Sequence, residues 1–114
     1  MMNPKLIQAM KDGKDPLEFI ELSLLAGEAR VLAHGASKYG VRNWLIDPIL
    51  ASTYQGAILR HLQAWFAGED NDKDSGESHL DHIKACCTVM RSAQVNGTLL
   101  DDRDRKESIN ERNK

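Results

Sequence analysis

The sequence predicts an all-α fold, a small bundle of three to four main helices. Apolar residues recur every three or four positions along most of the chain, and no segment alternates apolar and polar residues for long. A chain of 114 residues is long enough for one domain with a modest core. We therefore expect a leader over residues 1–14, a helical domain over 15–97 and a charged tail over 98–114, which is either a solvated helix or disordered.

Composition excludes several classes of protein. A formal net charge of −2 argues against stable nucleic-acid binding, which favours a basic surface. No apolar run approaches the roughly 18 residues of a membrane span, and the N-terminus lacks a signal-peptide pattern. The two cysteines, Cys86 and Cys87, are adjacent and cannot easily pair with each other. We expect a cytoplasmic protein in a reducing compartment, without a membrane partner.

The first helix is predicted to start at a capping box formed by Asp15 and Glu18 and to continue to about His34, where Gly35 offers a stop. Its apolar residues are too many for one narrow stripe, so much of this helix should be buried. A subunit interface is one way to bury it. Glu28 has apolar helical neighbours, and a carboxylate there needs a cation or hydrogen-bond donors. It is either part of a salt bridge or a metal ligand or catalytic base.

The segment GASKYGVRNW, residues 35–44, combines cations, aromatic rings and glycines, which let a backbone approach a ligand closely. Its candidate ligand-binding residues are Lys38, Tyr39, Arg42, Asn43 and Trp44. The cations could meet phosphate oxygens, the asparagine could read a base or sugar edge, and a ring could stack on a base. The alternative is a capped turn whose aromatic side chains fill the core.

Two further helices should flank an acidic loop. One begins between residues 47 and 53 and ends at Gly68; the other runs from Glu77 to Val95 and ends at Asn96–Gly97. Asp74 and Glu77 make a second capping box. Leu99, Leu100 and Ile109 would anchor any helix in the tail.

Three of the four histidines lie in this helix–loop–helix segment, together with acidic residues that have no evident local role. The candidate metal ligands are His61, Glu69, Asp72, His79 and His82. His79 and His82 are three residues apart on one helical face, a spacing that can hold one metal ion. His61 sits in an apolar stripe, where a histidine on its own is more often a hydrogen-bonded core residue than a ligand.

Together, GASKYGVRNW, RHLQAWFAGED and DSGESHLDH resemble segments of the phage dATP/dGTP diphosphohydrolases, the MazZ-like group, which is related to the MazG-type all-α nucleoside triphosphate pyrophosphohydrolases. The family pattern reads approximately KYG-x-RNW, RHL-x-AW-x-x-GE and D-x-x-SG-x-x-H-x-x-H. Every element of it is present between Lys38 and His82. The resemblance covers about residues 15–95.

This resemblance implies metal-dependent hydrolysis of a purine deoxynucleoside triphosphate, dGTP or dATP, to the monophosphate and diphosphate. In phages that make 2-aminoadenine DNA, such an enzyme supplies dGMP and trims competing nucleotide pools in the host cytoplasm. The divalent metal would be Mg²⁺ or Mn²⁺, with Co²⁺ or Zn²⁺ also suited to imidazole ligands. Glu28 and Glu69 would be catalytic, Lys38, Arg42 and Arg60 would hold phosphates, and a homo-oligomer, dimer or tetramer, is expected.

One departure separates this chain from the MazG-type enzymes. Those enzymes carry Glu-x-x-Glu on one helix and Glu-x-x-Asp on the next, whereas this chain has His61 and then His79-x-x-His82. Two other functions therefore stay open. One is a non-catalytic helical phage protein that binds a nucleotide or a protein and uses the histidines as a structural metal site. The other is an HD-type phosphohydrolase, although that class needs adjacent His-Asp and this chain has only Asp81-His82 in reverse order.

Overall fold

Four helices and a two-stranded parallel sheet make up the described part of the fold, which confirms the all-α class in its main elements. The structure is a computed structural model and describes residues 1–104. Its regular elements are α1 (Pro4–Lys11), α2 (Leu25–Tyr39), β1 (Ile49–Leu50), α3 (Ala51–Phe66), α4 (His79–Asn96) and β2 (Leu99–Leu100). Short 3₁₀ turns span Leu17–Phe19, Leu22–Leu24 and Asn43–Leu45.

Helix α4 is the centre of the packing. It contacts α3 along one side, α2 along another, and the Asn43–Leu45 turn near its C-terminal end. The buried apolar residues of the described chain are small, namely Val31, Ala51, Ala85, Val89 and Ala93. Small side chains allow the helices to approach closely but bury little apolar area each. None of the helices in the described part is long and apolar enough to cross a bilayer.

The predicted first helix is wrong at both ends. Two 3₁₀ turns precede α2 instead, separated by extended backbone at Ile20 and Glu21. Leu17 and Leu22 there are 73% and 76% exposed, so the described residues do not pack on them as they would on the apolar face of a helix, and tertiary packing is what stabilises most helices. Gly35 lies inside α2 and does not end it; Gly40, with φ of 93°, does.

The later helix ends agree with the sequence. Helix α3 stops just before Gly68, which has φ of 96°, and α4 is closed by Gly97 in the left-handed conformation. The capping box at the start of α4 is wrong, because the N-cap is Ser78, whose hydroxyl accepts the Leu80 amide. The carboxylates at positions 74 and 77 face α2 instead.

Part of the charged tail packs on the domain. Strand β2 pairs in parallel with β1, placing Leu99 beside Ile49 and Leu100 beside Leu50. Asp102 then accepts hydrogen bonds from the backbone amide and the hydroxyl of Ser52, in the first turn of α3. A helix through Leu99 and Leu100 is therefore wrong, while Ile109 lies outside the described residues. The division into leader, domain and tail stays a prediction.

Candidate metal centre

The end of α3, the start of α4 and the loop between them bring the candidate metal ligands together. The loop, residues 67–78, is called the acidic loop below. It folds on itself: the Asp72 amide donates to the Glu77 carbonyl at 2.8 Å, and the Gly76 amide donates to the Asp72 carbonyl at 2.8 Å. The His79 amide donates to the Asp70 carbonyl at 2.9 Å, which ties the loop to the first turn of α4. These bonds fix where the Asp72 side chain leaves the backbone.

Two imidazoles and one carboxylate converge at this point. Nδ1 of His61 lies 2.9 Å from Nδ1 of His79. One ligand atom each from His61, Asp72 and His79 lie within 4.8 Å of one another. His79 is 3% exposed and is the one buried polar residue among those described. Two ring nitrogens at so short a distance share either one proton or one cation, and two imidazoles with a carboxylate are ligands that suit a divalent metal ion.

Glu69 determines which ring nitrogen of His79 is available to ligate a metal ion. Its Oε1 lies 2.7 Å from His79 Nε2. An ionised carboxylate only accepts hydrogen bonds, so Nε2 is the donor in this contact, and Nδ1, which faces His61, is the ring nitrogen left for a metal ion. This is the arrangement in which a carboxylate orients a metal-ligating histidine through its other ring nitrogen.

His82 completes the cluster by stacking on His61. The ring centroids are 4.3 Å apart and the planes are inclined by 13°. His82 Nε2 lies 2.6 Å from the Ser75 hydroxyl oxygen, which also accepts the Glu77 amide at 3.1 Å. The Asp72 carboxylate lies 3.8 Å from the same nitrogen, beyond hydrogen-bond distance. His82 therefore supports the cluster from the side and is not among the three residues whose ligand atoms converge.

The charges of the cluster suit a cation. Burial lowers the pKa of His61, and the neighbouring His82 lowers it further. Burial also lowers the pKa of His82. Burial alone would raise the pKa of Asp72, but hydrogen bonds from Ser75 and the nearby His82 outweigh it and leave that pKa below its usual range. Neutral imidazoles beside an ionised carboxylate are the protonation states that metal binding requires.

The acidic loop is held from its other side by α2. The Lys38 ammonium lies 2.7 Å from Asp74 Oδ2, and His34 Nε2 lies 3.1 Å from the same oxygen. The Arg30 guanidinium donates to Glu77 at 2.8 Å. Lys38 and His34 hold the pKa of Asp74 below its usual range through these hydrogen bonds, and Arg30 does the same for Glu77.

Three further predicted site residues make their contacts outside the histidine cluster. The Thr88 hydroxyl donates to the half-buried Glu28 carboxylate, which links α2 to α4. The Arg60 guanidinium folds back over Gly56 on its own helix. Tyr39, at the end of α2, is 71% exposed. None of these contacts places the three residues in the histidine cluster.

The turn that carries Asn43 and Trp44 is docked at the far end of α4. Trp44 Nε1 donates to the Ser92 hydroxyl at 3.0 Å, and its carbonyl accepts the Thr98 hydroxyl at 2.7 Å. Ser92 follows His82 by ten residues of helix, about 15 Å at about 1.5 Å rise per residue. An open cavity of about 690 Å³ lies between the turn, α2 and α4, with Arg42 and Trp44 in its lining. Arg42 is left-handed, with φ of 51°, which is uncommon for a residue other than glycine.

Sequence reasoning missed two contributors to this region, Ser75 and His34. Ser75 was visible only as part of the SG pair, and its contact with His82 depends on the fold of the acidic loop. His34 had a clearer signal, because Arg30, His34 and Lys38 are spaced four residues apart and so share one helical face. A helix predicted to end at Gly35 leaves Lys38 outside it, so the three residues do not appear as one helical face.

The fold and the histidine–carboxylate cluster define a small helical domain with a candidate metal centre. Comparison with protein families assigns it further: the chain belongs to the family of the dATP/dGTP diphosphohydrolase N-terminal domain, whose model matches residues 5–103. This confirms the resemblance to that family.

A relative named dATP/dGTP diphosphohydrolase, from Salmonella phage PMBT28, is 34% identical over 70 residues. The match covers 61% of this chain and 23% of that protein, so the chain spans about a quarter of its relative's length. No solved structure matches the chain.

Proposed function

We propose that the chain carries the metal-dependent active site of a dATP/dGTP diphosphohydrolase, which splits a purine deoxynucleoside triphosphate into the monophosphate and diphosphate. The observation that carries the proposal is the convergence of His61, Asp72 and His79 within a domain of that family. These three residues would hold a divalent metal ion, Mn²⁺, Mg²⁺, Co²⁺ or Zn²⁺. When bound, the ion supplies charge neutralisation of the triphosphate and a water of lowered pKa.

The chain's own residues prepare the site for that chemistry. Glu69 keeps the proton of His79 on Nε2, so that Nδ1 stays available as a ligand. His82 stacks on His61 and limits the rotation of that ring. The Asp74 and Ser75 amides donate to Asp72 Oδ2 at 3.1 and 3.0 Å and so orient the carboxylate. Glu69 thus acts in our proposal as a positioning residue.

Substrate binding would extend from this cluster toward α2 and the 35–44 turn. Lys38, beside the acidic loop, is the cation best placed to meet phosphate oxygens. The cavity lined by Arg42 and Trp44 would receive the purine, because it combines apolar side chains, an aromatic ring and one cation. Tyr39, Asn43 and Arg60 remain candidates for contacts at its rim, and Glu28 for a base from α2. The site would work in the cytoplasm of an infected cell.

A homo-oligomer, dimer or tetramer, is part of the proposal. Five large apolar side chains between residues 17 and 24 are from 51% to 76% exposed, namely those of Leu17, Phe19, Ile20, Leu22 and Leu24. Exposed large apolar side chains that cluster in one segment in this way favour an interaction surface there. Sedimentation velocity should show a species larger than the 12.8 kDa chain. A chain that stays monomeric at all accessible concentrations would contradict this part.

The test of the activity is direct. Purified protein is incubated with each of the four deoxynucleoside triphosphates and each metal ion, and the products are separated by ion-exchange chromatography. We expect the monophosphate and diphosphate from dATP or dGTP, and loss of turnover in Asp72→Asn but not in the matched loop variant Asp70→Asn. No turnover with any metal, combined with one tight metal ion needed for folding, would favour a structural site instead. Release of triphosphate or orthophosphate would favour an HD-type reaction.

A further inference from the structure

Three basic side chains form a row along α2, and acidic-loop carboxylates face all three. Arg30, His34 and Lys38 are called the basic row below. They are spaced four residues apart, so they lie on one helical face. Lys38 and His34 both contact one oxygen of Asp74, at 2.7 and 3.1 Å, and Arg30 contacts Glu77 at 2.8 Å.

The basic row starts beside the candidate metal centre. The Asp74 amide donates to Asp72 Oδ2 at 3.1 Å, so the residue that faces the row and the residue that faces the histidines are hydrogen-bonded neighbours. An anion held at the metal centre by one end and extended toward α2 would meet Lys38 and His34 where the Asp74 carboxylate now stands.

Asp74 is suited to being displaced. Its side chain is 68% exposed and that of Lys38 is 44% exposed, so separating them buries no unpaired charge. Exposed ion pairs of this kind are weak. A phosphate chain carries several negative charges and several acceptor oxygens, and it would hold the same donors more strongly than one carboxylate does.

We propose that Asp74 is an intramolecular stand-in for a phosphate group, whose carboxylate occupies the basic row until a polyphosphate chain displaces it. The inference rests on the proposed function, since it names the part of that site which takes the phosphates beyond the metal. Asp74 then acts as a threshold: long phosphate chains displace it, and monophosphates do so poorly. A phosphate chain that reaches the basic row must compete with Asp74, whereas a monophosphate held at the metal centre alone does not, so removing the Asp74 charge should favour the phosphate chain over the monophosphate.

The experiment compares two variants that remove the same charge from the same loop, Asp74→Asn and Asp70→Asn. Asp70 is exposed and its carbonyl bond to His79 does not depend on its side chain. Binding of inorganic triphosphate is measured by calorimetry, without divalent metal and at near-physiological ionic strength. We expect Asp74→Asn to bind about fivefold more tightly than the unmodified chain and Asp70→Asn less than twofold more tightly, because a unit charge matters at contact distance and is screened beyond it.

Two further measurements make the outcome decisive. Lys38→Gln should weaken triphosphate binding in the Asp74→Asn background, and thermal melts check that every variant is folded. The two aspartate variants should differ less in their affinity for inorganic monophosphate than in their affinity for inorganic triphosphate. Equal triphosphate affinities of the two aspartate variants, or no triphosphate binding by either, would overturn the inference.

These results are separable from the test of activity. Hydrolysis of dGTP by the unmodified chain, together with equal triphosphate affinities in the two variants, would leave the proposed function standing and remove the role of Asp74. Tighter triphosphate binding by Asp74→Asn, in a chain that hydrolyses no nucleotide, would leave the role of Asp74 standing and remove the proposed function.

Discussion

Replacement of Glu69 tests how the metal centre is built. The contact at issue joins Glu69 Oε1 to His79 Nε2 at 2.7 Å, between a side chain that is 39% exposed and one that is 4% exposed. Glu69→Ala removes the acceptor and leaves the His79 tautomer undetermined. Glu69→Gln removes the charge but retains an oxygen that can accept the same proton.

The size of the effect follows from this geometry. A hydrogen bond to a charged group contributes about 1.5–3 kcal/mol when both partners are shielded from water. Glu69 is partly solvated and lies 3.9 Å from the Lys73 ammonium, so the lower end applies after screening. We expect Glu69→Ala to weaken metal binding about tenfold, which corresponds to about 1.4 kcal/mol, and Glu69→Gln to weaken it about threefold.

The assay is a titration with Co²⁺, followed by its visible absorption, with Mn²⁺ calorimetry as a second readout. Asp70→Ala serves as the control and should keep the affinity of the unmodified chain. Metal affinity in Glu69→Ala within twofold of that control would refute the orienting role. Equal, large losses in Glu69→Ala and Glu69→Gln would also refute it, because they would indicate that Glu69 ligates the metal directly.

Three other predictions concern the helices around the site. A Cβ on Gly27 would lie 2.0 Å from Asp81 Oδ2, so Gly27→Ala should lower the free energy of unfolding by about 1–3 kcal/mol. In an Asp81→Ala background the same substitution should be neutral or stabilising. Equal losses of stability with and without Asp81 would contradict this contact. Burial lowers the pKa of His61 and of His82, so near neutral pH and below, the unfolded chain binds more protons than the folded chain. Stability and metal affinity should therefore fall as the pH drops below about 6.5. Denaturant midpoints that do not change between about pH 7.5 and 5.5 would contradict this prediction. Trp44→Phe removes an indole N–H that donates to a serine hydroxyl of α4, so we expect a loss of about 1 kcal/mol in unfolding experiments and unchanged Co²⁺ affinity.

The parts of the fold that were predictable from the sequence are those governed by local rules. Helices α3 and α4 end at Gly68 and Gly97, because a left-handed residue closes a helix and glycine adopts that conformation without steric cost. The segment before Leu25 was not predictable in this way. Its capping pattern favours a helix start, but its large apolar side chains are exposed among the described residues, and it forms only two 3₁₀ turns.

The candidate site also has a part that the sequence predicts and a part that it does not. His61, Asp72 and His79 belong to consecutive elements, helix, loop and helix, so their proximity follows from the direct connection between two helices that pack on each other. The contacts of Asp74 with α2 join residues 36 and 40 positions apart and depend on how α2 lies against the acidic loop. No local pattern encodes that arrangement, and the capping-box interpretation of Asp74 was the simpler one.

The acidic loop links the two halves of the proposed site, because neighbouring residues of one tight turn face in opposite directions. Asp72 is turned toward the histidines and Asp74 toward α2, with a 3.1 Å hydrogen bond between them. Release of Asp74 by a polyphosphate chain would remove a restraint on this turn next to a metal ligand. The same hydrogen bond can therefore couple the two events, so that phosphate binding along α2 changes the orientation of the Asp72 carboxylate. Metal affinity measured with and without inorganic triphosphate should consequently differ more in the unmodified chain than in Asp74→Asn, where the restraint is already weaker.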